Sequence, residues 1–551
     1  MRKILTNYSK SIDYFALVLC CFLAIALVVF FILVIKPLVF LPADILMWEE
    51  TDFVGNMIKF NIGAPLYTAP SDSNSLIYNP AAFLLTYAIA WLIGQTKSIA
   101  VFRLIQIGFV VCAAIIATNC TNKLRRLAFP ELTTRYAKTW TVFTFFGLFL
   151  AATAPDSNKF VYVLHVDALS LLVSIFSFWM MLRYAENENV KNLLLMAICP
   201  TIGFLTKQFL ISWIGVMFIF LLIQHPKNFK RIGLFLGLSG LLVAIVYGIC
   251  YLIWGDNYIF WAYEVMGGPR KQIVFSPDGH SISLSRGIDH LLRIWLDIFV
   301  GVIGIWLLIR KGEIRRFGAL AVAWIVLVAS EAVSSGAGWS VLYHFGPGVV
   351  VGGIFMFAAL PQFWEIKVEN DSYSIIKKWA HAIVMIVAVI AIFTAWKVMP
   401  TGDKNEARYI RATQLSSDVN RYIADIEREF EGLPTDKVLL GVGSWVYLRD
   451  DVLQKDRAVS LADQPYSGNY KNFDVTVERI RNKTYQKILV HDFDSPFFLY
   501  EWHDWAKPSG FKNALIENYV EIKRIEAPEG NPSPSLRILN SGPVSVFVPR
   551  N

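Results

Sequence analysis

The sequence holds no Gly-rich phosphate loop, no dinucleotide-binding fingerprint and no zinc-protease helix. A soluble nucleotide-driven engine is therefore excluded, and any energy must arrive with a substrate or from a gradient. Cysteine is scarce and unevenly placed. The six residues, Cys20, Cys21, Cys112, Cys120, Cys199 and Cys250, all lie in or beside apolar segments. Residues 402–551 contain none, which excludes a disulfide framework there. No paired Cys/His spacing offers a zinc site. Residues 14–38 lack a small-residue cleavage site and are too long for a removed leader, so they are expected to remain as an anchor. No internal repeat stands out.

What is abundant is apolar surface. The chain has 551 residues, 55% of them hydrophobic and 14% aromatic, far from the balance of a soluble domain. Apolar runs recur from residue 14 to residue 398, and a span needs roughly 20 such residues. Beyond that the composition turns charged, with no comparable run. Two parts are expected: a polytopic all-α membrane domain over 1–400 and a soluble domain over 401–551. The net charge of +8 does not point to nucleic acid. The basic residues gather in short loops between apolar runs, as membrane orientation demands.

Spans are expected near 14–38, 98–120, 138–154, 166–183, 192–206, 209–224, 232–254, 291–309, 317–335, 343–361 and 380–398. Segment 80–94 is apolar but only about 15 residues long, short of a crossing. If it does not cross, the loops with Arg2/Lys3/Lys10, Lys123/Arg125/Arg126, Lys227/Lys230/Arg231, Arg310/Lys311/Arg315/Arg316 and Lys367/Lys377/Lys378 are all cytoplasmic. If it crosses, most of them flip outside. About 11 crossings follow, with 80–94 re-entrant or juxtamembrane, the N-terminus inside and residues 401–551 outside. Loop 39–79, stretch 155–167, loop 255–290 and stretch 334–344 then share the outer face, where function should lie.

Five constellations on that face carry chemistry. Glu49, Glu50 and Asp52 sit at the mouth of the first span, where carboxylates are costly near lipid. They offer a general base, with neighbouring charges pushing their pKa values apart, or simply a solvated acidic loop. Of the three, Glu50 is favoured and Glu49 follows. His165 and Asp167, with Asp156 and Lys159 upstream, open a later span; Asp167 could equally just favour a helix dipole. Their spacing of two denies them a shared helical face, although at a helix start both reach a site. Lys207 and Gln208 lie between two short apolar runs. The lysine could neutralise a phosphate or merely snorkel. Tyr343 and His344 head another span, as an aromatic belt would, and Glu331 late in the preceding run should face protein or water. The loop 255–290 holds Trp261, Arg270, Lys271, Asp278, His280 and Arg286, of which Arg270, Lys271 and Arg286 suit a phosphate headgroup.

In order, Trp48-Glu49-Glu50-Thr51-Asp52, Gly63-Ala64-Pro65-Leu66-Tyr67, Ile77-Tyr78-Asn79-Pro80, His165-Val166-Asp167-Ala168-Leu169, Thr206-Lys207-Gln208 and Tyr343-His344-Phe345-Gly346-Pro347 resemble elements of the GT-C superfamily of polytopic glycosyltransferases. The likeness is to its protein-mannosyltransferase-like or aminoarabinose-transferase-like branch and covers roughly residues 14–400. It implies an inverting transfer of a sugar from a polyprenyl-phosphate donor to a glycan, lipid or protein acceptor on the outer face. An acidic residue of the first outer loop (Glu49, Glu50 or Asp52) would act as base. Lys207, His344 and Arg270 would bind the lipid phosphate, and Tyr78, His165, Asp167, Gln208 and Tyr343 would help bind substrate. The chain departs from the pattern in carrying Glu where Asp is common and His165 where Arg is frequent. No cofactor is required by the residues, and a divalent metal stays open. Membrane lipid is an expected partner and nucleic acid is not. A multi-pass protein of a bacterial plasma membrane is the expected setting.

In the tail, residues 405–432 read as an amphipathic helix. Val438–Val442, Lys487–His491, Tyr519–Ile525 and Val544–Val548 read as short strands of a small α/β unit. Trp445, Tyr447, Trp502 and Trp505 could stack on sugars or fill a small core. The competing class is a transporter or flippase without bond chemistry. Transporters tend to show repeats and mid-membrane polar groups, and here the polar groups gather at one face.

Overall fold

In the computed structural model, the described residues are 25, 39–40, 48–61, 63–70, 75–129, 137–153, 163–265, 273–275, 282–311, 313–336, 342–360, 416–434, 437–441, 473–491, 493–494, 510–526 and 543–551. Apart from residue 25, the expected span 14–38 lies outside them, as do the expected span 380–398 and Asp156, Lys159, Arg270, Lys271, Asp278, His280, Trp445, Tyr447, Trp502 and Trp505.

Helices dominate the first 360 residues. They are α1 (Trp48–Asn61), α2 (Ala81–Leu92), α3 (Ile99–Ala128), α4 (Ala137–Ala152), α5 (Asp167–Glu186) and α6 (Val190–Thr206). After a 3-10 turn at Gln208–Ser212 come α7 (Trp213–Gln224) and α8 (Phe229–Ile259), the latter running on into a π turn at Phe260–Val265. A two-residue parallel pair, β1 (Ile273–Val274) and β2 (Ile282–Ser283), precedes α9 (Leu284–Arg293), α10 (Trp295–Lys311) and α11 (Ile314–Ser335). A 3-10 turn at Leu342–Phe345 leads into α12 (Gly346–Ala359).

Among the described residues, four helices are long and apolar enough to cross a membrane: Ile99–Ala128, Asp167–Glu186, Phe229–Val265 and Ile314–Ser335. The pair Leu284–Arg293 and Trp295–Arg310, bent by 72°, makes a fifth if taken as one span. The shorter apolar helices include α2, whose 12 residues extend about 18 Å against a hydrocarbon core of about 30 Å. The starts of these helices follow local chemistry. Ser98 caps α3 by accepting from Val101 N–H at 3.3 Å, and Arg125 and Arg126 occupy its last turn, where cations suit the dipole. Those arginines, expected in a loop, are therefore helical. Asn189 caps α6 and Asn228 caps α8 in the same way as Ser98.

The core is built where α3 packs on α5 and α4, α5 on α6, α7 on α11, and α10 on α12. Fully buried Phe102, Ala114, Leu124, Ile175, Met181, Phe220 and Phe355 fill these seams. By contrast α8 shows Leu241, Tyr247, Leu252 and Ile253 on an open face, as a lipid-facing helix would.

The tail contains α13 (Ser416–Phe430), β3 (Val438–Gly441), α14 (Phe473–Arg481), β4 (Lys487–His491), α15 (Phe511–Asn518), β5 (Tyr519–Ile525) and β6 (Val544–Pro549). The strands form one sheet in the order β3-β4-β6-β5, with β3 and β4 parallel and β6 antiparallel to both its neighbours. Burial of Leu439, Ile488, Val490, Tyr519 and Phe547 against Val477, Ile480, Phe511 and Leu515 gives this sheet its own core. Glu429 on α13 pairs with Lys487 at 3.0 Å and Lys523 at 2.5 Å, tying the helix to β4 and β5. Burial opposes its charge, but the two ammoniums outweigh this and hold its carboxyl below the usual range.

Candidate active site

The acidic segment expected as a loop is helical: Trp48–Asn61 forms α1. Its carboxylates do not play equal parts. Glu50 is fully buried and takes a bidentate pair from Arg103 of α3, Nε to Oε1 at 2.9 Å and Nη2 to Oε2 at 2.6 Å. The Leu164 N–H also donates to Glu50 Oε1, at 3.0 Å. Both oxygens are therefore engaged, and the pair bolts α1 to α3 and to the turn entering α5. A buried carboxylate held in this manner is poorly placed to collect a proton, so the geometry weighs against Glu50 as the base. The side chains of Glu49 and Asp52 lie outside the described residues. Position 49 is one turn before Phe53, on the same stripe of α1. The Phe53 ring stacks on Tyr78 at 5.6 Å and meets His165 edge-on at 5.1 Å, while Tyr78 and His165 meet at 5.6 Å.

His165 begins the next layer. Residues 163–166 form bends before α5 starts at Asp167, so a spacing of two does not separate the side chains. His165 Nδ1 lies 3.0 Å from Asp167 Oδ2, and Asp167 Oδ1 accepts from Lys207 Nζ at 2.7 Å. His165, Asp167 and Lys207 are each nearly enclosed, with side chains 2%, 11% and 10% exposed. Lys207 is therefore no snorkelling residue. It ends α6 as the C-cap, and the carboxylate of Asp167 holds its ammonium in the interior. A salt bridge this enclosed pays for desolvation through excellent geometry.

Beyond this pair opens a cavity lined by Asp167, Ser174, Lys207, Ser212, Glu331 and His344, among others. His344 comes from the 3-10 turn before α12. Its Nδ1 lies 3.3 Å from Ser334 Oγ, and its ring faces Phe209 edge-on at 6.2 Å. Glu331, near the end of α11, accepts from Gly348 N–H at 3.0 Å, in the first turn of α12. A Cβ on Gly348 would stand 2.3 Å from Glu331 Oε2, so this close approach demands glycine.

The segment 63–80 is anchored to the kink of α8. Gly255 carries φ +59 and ψ −146, a conformation reserved for glycine, and breaks the helix there. Past the break, Tyr258 OH donates to Asn79 Oδ1 at 2.9 Å, and Trp261 Nε1 donates to the Thr68 carbonyl at 2.8 Å. Gln208, expected to bind substrate, instead donates to the carbonyl of Ala262 at 2.8 Å and Ile77 at 3.4 Å, which makes it a strut between segments. Tyr343's side chain lies outside the described residues.

Of the residues singled out by sequence, the structure thus gathers Tyr78, His165, Asp167, Lys207 and His344, with Glu331. Arg103 was missed. Its signal was an arginine inside an apolar run, a placement that calls for a partner. Tyr258 and Ser212 were missed as well, and only the three-dimensional fold marks them; Asn79 stands in the Ile77-Tyr78-Asn79-Pro80 element, and the fold adds its bonds to Tyr258 and Phe204. Among the described residues, no three His, Cys, Asp or Glu side chains converge as a metal-ligand set.

A multi-helix core of apolar spans, a polar cavity within it and a C-terminal sheet make up a polytopic membrane protein whose fold is shared with solved ArnT and oligosaccharyltransferase structures. More particularly, residues 133–254 match the family model described as dolichyl-phosphate-mannose-protein mannosyltransferase, a stretch that contains His165, Asp167 and Lys207. The apo oligosaccharyltransferase of Archaeoglobus fulgidus superposes with a TM-score of 0.56 at 12% identity, covering 97% of this chain and 89% of that one. ArnT from Cupriavidus metallidurans, bound to undecaprenyl phosphate, gives 0.55 at 14% identity, over 96% and 97% of the two chains. AglB from Archaeoglobus fulgidus, in complex with an inhibitory peptide and a dolichol-phosphate, gives 0.51 at 11% identity, over 92% and 84%. No curated protein matches the chain by sequence.

Proposed function

We propose that this protein is an integral-membrane glycosyltransferase that moves a sugar from a polyprenyl-phosphate-linked donor to a glycan, lipid or protein acceptor on the outer face of a bacterial plasma membrane. The observation that carries the reading is the enclosed cavity lined by Lys207, His344 and Asp167, in a fold shared with ArnT and AglB. Residues 1–400 hold the reaction, and residues 401–551 stand outside, beside it.

The base is reassigned from Glu50 to Glu49. Glu50 spends both oxygens on Arg103 and the Leu164 amide, whereas position 49 shares a stripe with Phe53, which touches Tyr78 and His165. In the reaction, the Glu49 carboxylate takes the proton of an acceptor hydroxyl or amide. The acceptor atom bonds to the anomeric carbon from one side as the carbon–oxygen bond to the lipid phosphate breaks on the other. The electron pair of that bond leaves on the polyprenyl phosphate. Lys207, as a preorganised cation, and His344, as a hydrogen-bond donor, stabilise the charge gained there in a water-poor site. Asp167 positions Lys207 and does not react.

The test is sugar transfer by purified full-length protein from polyprenyl-phosphate sugars. Glu49→Gln should lower kcat by roughly 10²–10⁴-fold, the usual worth of a general base, with Tm unchanged. Wild-type transfer by Glu49→Gln would sink the assignment of the base. Wild-type transfer by both Glu49→Gln and Lys207→Ala would sink the reaction as proposed here.

A further inference from the structure

Glu331 has no task in the reaction just described, and its environment is unusual. It is 1% exposed, late in a membrane-crossing helix, and lines the same cavity as Lys207 and His344. Oε1 accepts the single N–H of Gly348, while Oε2, also buried, has no hydrogen-bond partner. No cation of the protein lies within salt-bridge distance of it among the described residues. Leaving one oxygen of a buried carboxyl without a donor is costly, and native structures rarely accept the cost without a reason. Ser212 Oγ, on the wall of the same cavity, is likewise buried and unpartnered. One wall therefore offers the Lys207 ammonium and the His344 ring, and another offers an acceptor without a donor. These lining groups match a ligand with a phosphate at one end and a hydrogen-bond donor at the other.

We propose that Glu331 Oε2, assisted by Ser212 Oγ, is a binding subsite for a ring hydroxyl or amino group of the transferred sugar, and so sets which sugar is carried. The inference rests on the reading that the lipid phosphate lies at Lys207 and His344. The bland alternative is that Glu331 only caps α12 through Gly348 N–H. Glutamine separates the two, because its amide oxygen can still accept from Gly348 while its NH₂ replaces the acceptor Oε2 by a donor.

The experiment measures binding to full-length protein, wild type and Glu331→Gln, of three probes: undecaprenyl phosphate, a polyprenyl-phosphate neutral hexose and a polyprenyl-phosphate amino sugar. In the wild type at least one sugar-bearing lipid should bind more tightly than undecaprenyl phosphate. Glu331→Gln should weaken that lipid by about tenfold, as loss of one hydrogen bond does, and leave undecaprenyl phosphate unchanged. Selective loss of the amino sugar would identify an ammonium as the group bound, and loss of the hexose a hydroxyl. The proposal is overturned if no sugar-bearing lipid outbinds undecaprenyl phosphate in the wild type. It is equally overturned if Glu331→Gln alters none of the three, or weakens all three alike with a fall in Tm. Failure of the phosphate reading shows separately, as undecaprenyl phosphate binding that survives Lys207→Ala.

Discussion

Charge in the interior divides into two kinds at the level of single residues. Glu50 with Arg103 is closed: two oxygens meet two guanidinium donors and a backbone amide, with nothing left over for substrate. The group around Lys207 is open, since Asp167 holds the ammonium while Ser212 and Glu331 on the same cavity still carry unpartnered oxygens. The closed pair should therefore behave as structure. Arg103→Ala strands a buried carboxylate and is expected to cost about 3–5 kcal/mol, read as a large fall in Tm of the full-length protein in detergent. The double variant Glu50→Leu with Arg103→Met should recover most of that loss, because a buried pair is often replaceable by apolar residues of similar size. A stable Arg103→Ala protein would show that the pair does not hold α1 in place. Sequence reading reached the acidic cluster but ranked Glu50 first. The reason is physical: Glu50 and Arg103 lie 53 residues apart, and no local spacing announces that they meet. Asp167 and Lys207, 40 residues apart, were each chosen on local grounds, and only packing joined them.

Among the elements, apolar runs and turn residues were legible because they act locally. The strand at Lys487–His491 falls on the short apolar run Ile488-Leu489-Val490, that at Tyr519–Ile525 where β-branched and aromatic residues mix with charged ones, and helices start at Ser98, Asn189 and Asn228, which cap them. The acidic segment was read as a loop because its charges hid a helix whose buried face is Phe53, Val54 and Met57. The break in α8 was legible only in part: the expected span ends at 254 and Gly255-Asp256-Asn257 reads as the start of a loop, whereas the chain stays helical to Ile259 beyond the bend. That break turns Tyr258 and Trp261 toward Asn79 and Thr68, and so fastens the segment 63–80. Gly255→Ala would place a Cβ on a backbone with φ +59, which L-residues strongly avoid. The expected cost is about 1–3 kcal/mol in stability. Activity should fall with it, in kcat/KM more than in the expression of folded protein, because the strut and not the core is disturbed. Unchanged kcat/KM and Tm in Gly255→Ala would show that the kink does not position the site.

For the whole molecule, orientation turns on one short helix. If α2 crosses the membrane, the parity of every later segment changes, and with it the side on which the cavity opens. Its 12 residues reach about 18 Å, and Asn79 just before it is fixed by bonds to Phe204 and Tyr258 rather than delivered to the opposite face. A helix of that length could span only by thinning the bilayer or pulling its ends inward, each with a cost per ångström of mismatch. The basic loops agree with the non-crossing arrangement, since it leaves Lys227, Lys230 and Arg231 on the cytoplasmic side. This arrangement puts the C-terminal sheet outside. It can be checked by labelling intact cells with a membrane-impermeant maleimide. In a chain with all six native cysteines replaced, Val520→Cys on the exposed side of β5 should be labelled at once. Lys227→Cys, exposed in the turn before α8, should react only after the membrane is opened. The reverse pattern would mean that α2 crosses and that the cavity opens to the cytoplasm. Labelling of both sites in intact cells would mean that the two segments lie on the same side, and the count of crossings between them would have to be even. The parity therefore settles whether Lys207 and His344 receive a lipid phosphate presented at the outer leaflet, which is the arrangement the reaction needs if its acceptor lies outside the cell.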